Sequence, residues 1–243
     1  MSPPDPAETL VLIPALNEAD TVSDVVRAAR TLLGCDVLVI DDGSSDQTAQ
    51  LALAAGAMVI SHPFNLGVGG AIRTGLRVAH QQGRRYAVQL DADGQHEPAE
   101  AKRLLDRVAT DGADLAVGSR FASGYRVSFL RGSAMRLLSR TISRRVGTHV
   151  DDTTSGFRAF GPRAIDTFAH CYPTEYLSDT VEALLIAGDA GLTIVVEQVQ
   201  MHERQGGRPS SGRARSAVQL MRLWLVILLH PVRASRPGRV RAA

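Results

Sequence analysis

Short apolar runs recur along the first 120 residues of this chain, each followed by a stretch of helical period. Thr9–Pro14 (TLVLIP), Asp36–Asp41 (DVLVID), Ala57–Ser61, Tyr86–Leu90 and Leu115–Gly118 read as five strands. Between them, Ala19–Leu33, Ser45–Ala55, Val68–Gln82 and Pro98–Ala109 read as helices. In the first, Val22, Val25, Val26, Ala29 and Leu33 repeat on one face; the last opens with proline, which suits a helix start. Strands alternating with crossover helices imply an α/β, Rossmann-like, doubly wound domain with a mostly parallel central sheet and helices on both faces.

In such sheets ligands sit beyond the carboxyl ends of the strands. The polar clusters fall at those ends: Asn17-Glu18, Asp41 to Ser44, His62 to Asn65, Asp91-Ala92-Asp93 and Ser119-Arg120. They define one rim. The second half is less regular. Arg131–Arg145 reads as a basic helix, Phe157–Phe160 as a strand, Ser178–Ala190 as a helix and Thr193–Met201 as a strand. Ala214–Leu229 reads as a last helix ending in LWLVILL. No Ser- or Gly-rich linker divides the 243 residues, a length that suits one domain. We therefore expect that domain over 1–213 and an amphipathic helix with a basic tail over 214–243.

Charge is unevenly placed. Nine arginines and no acidic residue lie between Arg204 and the end. Removing them from the 27 Lys+Arg leaves 18 against 25 Asp+Glu, a net of −7 for the rest. A basic tail on an acidic body suits a phosphate-rich partner, membrane or nucleic acid, or is a solvated tail in an arginine-biased chain. Lys102 is the only lysine. Trp224 and its apolar neighbours, flanked by Arg222 and Arg233, suit a bilayer interface, a membrane partner subunit or packing on the domain itself. No run of 18 apolar residues suggests a spanning helix, and the first residues do not read as a secretory signal. Cys35 and Cys171 lack metal-ligand spacing and read as reduced core residues. The expectation is a cytoplasmic protein, peripheral on the inner face of the cell membrane if it binds membrane at all.

Asp91-Ala92-Asp93 follows the apolar run YAVQL. Carboxylates two residues apart on a turn can both face one hard cation. Mg2+ or Mn2+ needs few protein ligands when a substrate diphosphate supplies the rest. Such an ion would neutralise charge on a departing nucleotide diphosphate. A turn that merely faces water is the other reading. Asp41-Asp42-Gly43-Ser44-Ser45-Asp46 offers an acid to a base or ribose, or an Asx-turn and helix cap. Asn65-Leu66-Gly67-Val68-Gly69-Gly70 resembles a phosphate-binding loop but is neither GxGxxG nor GK[ST], so a dinucleotide dehydrogenase or P-loop ATPase is poorly supported. His96 reads as a metal ligand or as a support behind the acidic turn.

IPALNE (Ile13–Glu18), VIDDGSSD (Val39–Asp46), NLGVGGAIRTGL (Asn65–Leu76), LDADGQHEP (Leu90–Pro98), GSR (Gly118–Arg120) and DTTSGFRAF (Asp152–Phe160) stand in one order. Together they resemble glycosyltransferase family 2, specifically the dolichyl- or polyprenyl-phosphate sugar synthases, over roughly residues 9–210. The resemblance implies a GT-A-type fold. It places Pro14, Ala15, Glu18, Ile40 and Asp42 around the nucleoside. Asp91, Ala92 and Asp93 would meet the diphosphate and its Mg2+ or Mn2+, with Gln95 as a further metal ligand. Arg120 and Arg131 would face the acceptor phosphate, and Arg204 the donor diphosphate.

The implied reaction is inverting transfer of a sugar from a nucleotide-diphosphate sugar, of the GDP-mannose or UDP-glucose type, to a polyprenyl-phosphate lipid. A lipid phosphate is already anionic and nucleophilic, so arginines such as Arg120, Arg131, Arg158 and Arg204 would position and screen it. Asp93 and Asp152 join Arg120 and Arg158 as candidate catalytic residues, Asp152 as a base or as the group orienting Arg158. A buried ion pair holding the SGFR turn is the alternative for Asp152 and Arg158. A soluble or saccharide hydroxyl is the alternative acceptor and would need a general base. A non-catalytic nucleic-acid module would explain the tail but not the ordered acidic turns, and no nucleic-acid reader is recognisable.

Overall fold

A computed structural model describes residues 4–120, 139–150, 152–153, 155–174 and 179–200. Seven strands form one sheet: β1 (Thr9–Ala15), β2 (Asp36–Asp41), β3 (Met58–Ser61), β4 (Tyr86–Gln89), β5 (Leu115–Arg120), β6 (Arg158–Phe160) and β7 (Ile194–Val199). Their order is β3-β2-β1-β4-β6-β5-β7. Six run parallel. Only β6 is reversed, antiparallel to both β4 and β5. The expected parallel sheet is thus present, with one reversed strand wedged into it.

Helices α1 (Val22–Leu33), α2 (Thr48–Ala54), α3 (Gly67–Gln81), α4 (Pro98–Ala109), α5 (helical over 139–146), α6 (Pro162–Cys171) and α7 (Asp179–Asp189) cover both faces. Strand side chains alternate between two cores, because successive residues point to opposite faces. Leu10, Leu12, Leu38 and Ile40 pack with Ile72 and Leu76 of α3, Phe168 of α6 and Leu184 of α7. Val11, Ile13, Val37 and Val39 pack with Val26 of α1, Ala52 of α2 and Leu104 of α4. Each fully buried aliphatic or aromatic side chain contributes about 1.5–3 kcal/mol.

Three differences from the sequence reading have local causes. First, α2 starts at Thr48 rather than Ser45. The Ser44 amide donates to Asp41 Oδ1 and the Ser45 amide to Asn17 Oδ1, so this segment braces the rim instead of coiling. Second, α6 is absent from the periodicity reading although its signals are present: Pro162 opens it, and Ala164, Ile165, Phe168 and Ala169 form its buried stripe. Third, Cys171 is exposed at the end of α6, its Sγ donating to Thr167 O, whereas Cys35 is buried as expected. The 213/214 boundary, the helix at Ala214–Leu229 and most of the basic helix at 131–145 lie outside the described residues. No described helix is long and apolar enough to cross a membrane.

Candidate functional site

Parallel strands bring the carboxyl ends of β1, β2, β3, β4 and β5 to one rim, where hydrogen bonds across long sequence separations lock four of the loops together. Asn17 sits in the left-handed region at φ 55, which asparagine tolerates. Its amide donates to Ser44 Oγ, and its Oδ1 accepts from the Ser45 amide and hydroxyl. The Glu18 amide donates to Thr48 Oγ1, and the Ala19 amide to Asp46 Oδ2. Asp46 Oδ1 also accepts from the Thr48 amide, opening α2. Thr21 Oγ1 donates to Ala92 O at 2.7 Å, clamping the β1 loop onto the acidic turn.

Asp42 is the hub of the β2–β3 side. Its Oδ1 lies 2.7 Å from His62 Nδ1 and accepts from the Leu66 amide; its Oδ2 accepts from the Gly67 amide. His62 Nε2 lies 2.9 Å from Thr74 Oγ1 on α3. A carboxylate that accepts several backbone N–H groups organises a loop in the manner of a cap. Gly67 has φ 84, a conformation that glycine adopts at little cost, and this turn starts α3. At Gly69 a Cβ would stand 2.4 Å from Pro173 O, so that glycine admits the segment leading to α7.

The acidic turn leaves β4 at Gln89. The Asp91 side chain is 36% exposed and so opens onto the rim. Asp93 is buried, its Oδ1 accepting from the Gln95 amide, and Gln95 is half-buried. His96 is buried and stacks on Phe157, ring centroids 4.4 Å apart. The SGF turn lies against the same place: a Cβ on Gly156 would meet Gln89 Nε2 at 3.0 Å. Below it, Arg158 donates from Nε to Ser155 O and from Nη2 to Thr180 O. Burial raises the Asp179 carboxyl above its ordinary value, opposed by the nearby Arg158 guanidinium. Burial likewise pushes the Tyr172 hydroxyl up to about 12, again opposed by Arg158. One buried guanidinium therefore serves a wholly buried neutral phenol and a carboxylate near Asp91.

Two carboxylates and an amide oxygen form a hard, all-oxygen donor set, which fits Mg2+ or Mn2+ rather than a thiophilic ion. Among the described residues no three of His, Cys, Asp and Glu gather as a ligand cluster. A cation here would draw its remaining ligands from a substrate.

A family model described as Glycosyl transferase family 2 matches residues 10–168. The chain belongs to glycosyltransferase family 2. This glycosyltransferase is 31% identical to the polyprenol monophosphomannose synthase of Mycolicibacterium smegmatis over 236 residues, covering 89% of this chain and 86% of that one. It is 29% identical over 204 residues to the UDP-N-acetylglucosamine–dolichyl-phosphate N-acetylglucosaminyltransferase of Methanococcus voltae, covering 76% and 81%. Glucosyl-3-phosphoglycerate synthase from Mycobacterium tuberculosis, crystallised with Mn2+, UDP and glucosyl-3-phosphoglycerate, superposes with a TM-score of 0.69 at 22% identity, covering 91% of this chain and 78% of that chain. The fold is of GT-A type.

The rim of this family 2 glycosyltransferase gathers Glu18, Asp42, Asp91, Asp93 and Gln95, with Pro14, Ala15 and Ala92 buried beside them. Two expectations are corrected. Ile40 has no exposed surface; its Cδ1 packs where α3 passes at Gly75, so the side chain is core rather than a nucleoside contact. Arg158 is 0% exposed and braces the turn from beneath, so it does not reach an acceptor on the rim. The expected opening of Asp42 toward a ligand meets a carboxylate already engaged by three protein donors. Asp152 is half-buried. Arg131, Arg204 and the side chain of Arg120 lie outside the described residues. Sequence reading did not assign Asn17, Thr21, His62 and Gln89 to the site; all four are polar residues within or beside motifs, and only their partners reveal their work.

Proposed function

We propose that this glycosyltransferase moves a sugar from a nucleotide-diphosphate donor, of the GDP-mannose or UDP-glucose type, to a polyprenyl phosphate, with inversion. The observation that carries the reading is the Asp91-Ala92-Asp93 turn at the end of β4, with the open Asp91 carboxylate on a rim braced by the β1, β2 and β3 loops. The relatives named for polyprenol and dolichyl phosphate support the acceptor class. When bound at Asp91, Asp93 and Gln95, Mg2+ or Mn2+ supplies neutralising charge for the leaving diphosphate. The remaining work falls to the chain. Glu18 and the β2 loop border the nucleoside, Arg204 faces the donor diphosphate, and Arg120 and Arg131 hold the acceptor phosphate. That phosphate is already a nucleophile, so it needs orientation and screening more than deprotonation.

The test incubates the protein with Mn2+, radiolabelled nucleotide sugars and polyprenyl phosphate, followed by organic extraction. Label should move into the organic phase with wild type. The Asp91→Asn, Asp93→Asn pair should lower turnover at least about 100-fold while the fold is kept, the scale expected when preorganised charge stabilisation is removed. Label confined to water-soluble products would replace the lipid acceptor with a soluble one, and full turnover by the double variant would remove the acidic turn from the mechanism.

A further inference from the structure

The Asp91 carboxylate is the most open acid of the rim's acidic turn, yet three contacts limit how it can turn. His96 Nδ1 accepts from the Asp91 backbone N–H at 3.0 Å. A ring nitrogen that accepts from an amide carries no proton of its own, so the ring hydrogen sits on Nε2. That Nε2 lies 3.5 Å from Asp91 Oδ2, placing its N–H toward the carboxylate. On the other side, Gln89 Nε2 donates to Asp91 Oδ1 at 3.4 Å. The amide cannot turn over without setting its oxygen against that carboxylate. Both supports are themselves fixed. The His96 side chain is 2% exposed and lies flat on Phe157 at an interplanar angle of 11°. Gln89 is buried at the end of β4 and closed over by Gly156, where even a Cβ would crowd its Nε2.

We propose that His96 and Gln89 are positioning residues: two N–H donors that approach the two oxygens of Asp91 from opposite sides and present its free lone pairs to the divalent cation. Neither touches the ion. Both contacts are long, as expected of a clamp that tightens when charge arrives. Groups of this kind fix the orientation of ligating carboxylates, and their loss typically weakens metal binding about 10- to 100-fold. The histidine adds a second function, because the same ring holds the Asp91 amide and carboxylate and so sets the backbone and side chain of one residue together. The proposal rests on the reading of the acidic turn as the metal site.

The experiment measures Mn2+ binding by electron paramagnetic resonance, with Mn2+ alone as the probe, on the full chain and its variants. His96→Phe keeps the stack on Phe157 and removes both nitrogens. It should bind Mn2+ at least about tenfold more weakly than wild type, with an unchanged circular dichroism spectrum. His96→Gln restores a donor near the Nε2 position and should recover part of the loss. Gln89→Leu should weaken binding without the histidine being touched, and it reads out the clamp if His96→Phe does not fold. In metal-free wild type, imidazole nitrogen NMR should show the His96 proton on Nε2. A proton on Nδ1 alone, or Mn2+ affinity unchanged in both His96→Phe and Gln89→Leu while Asp91→Asn abolishes it, would overturn the clamp and leave the metal site standing. Wild-type binding that ignores Asp91→Asn would overturn the metal site itself, and the clamp with it.

Discussion

Asp179 shows what a buried carboxylate costs when a single guanidinium is its neighbour. Burial raises its carboxyl above the ordinary 3.8, and Arg158 opposes the rise without cancelling it. The folded protein then holds that proton more tightly than the unfolded chain, so this residue's contribution is complete below about pH 3.8 and is lost as pH climbs through the raised value. Asp179→Asn removes the titration. Urea unfolding of wild type minus Asp179→Asn should therefore become less favourable between pH 4 and pH 7, and a difference that stays flat would sink the assignment. The residue scale is also where sequence reading fell short. A polar side chain in a motif advertises chemistry, but Arg158 and Asp42 meet protein partners instead of an open pocket. Those partners come from segments 22 and 25 positions further along the chain.

At the scale of elements, α3 carries an unusual load for its first turns. It begins at a glycine with positive φ, is tied to Asp42 through the amides before Val68, and passes Pro173 so closely that Gly69 has no room for a methyl group. The NLGVGG segment is thus explained by close packing at a helix start and needs no phosphate. Gly69→Ala should destabilise the protein by about 1–3 kcal/mol, since a methyl placed against a backbone oxygen forces α3 away from the approach to α7. Chemical denaturation would check this; a neutral result would mean that the segment before α7 yields freely. Helices with strong apolar spacing, such as α1 and α4, were legible to within a few residues. The start of α2 was not, because serine and aspartate side chains there bond to a neighbouring loop rather than to their own helix.

For the whole molecule, opposite charge and apolar surface are separated along the chain. The acidic rim lies in the described domain, and six arginines with the LWLVILL run lie in 214–243. If this segment meets an anionic bilayer, each basic residue near the surface contributes about 1 kcal/mol. A chain lacking 214–243 should sediment less with vesicles containing anionic lipid and should bind Mn2+ as wild type does. Equal sedimentation would place the membrane contact elsewhere. The relatives matched over most of the chain include enzymes named for lipid phosphates, which gives this separation its interest.

Alternation of apolar runs with helical periods dictated the layered α/β architecture, the two cores and a rim of polar strand ends, because side-chain periodicity is a local property read within a few residues. It also put the acidic turn on that rim. Tertiary structure alone decided that β6 runs backwards between β4 and β5, that Ile40 and Arg158 face inward, and that His96 closes on Asp91. The physical reason is that a donor or acceptor declares its role only through its partner. At this rim the partners are remote: Thr21 and Ala92 stand 71 residues apart in sequence and 2.7 Å apart in space.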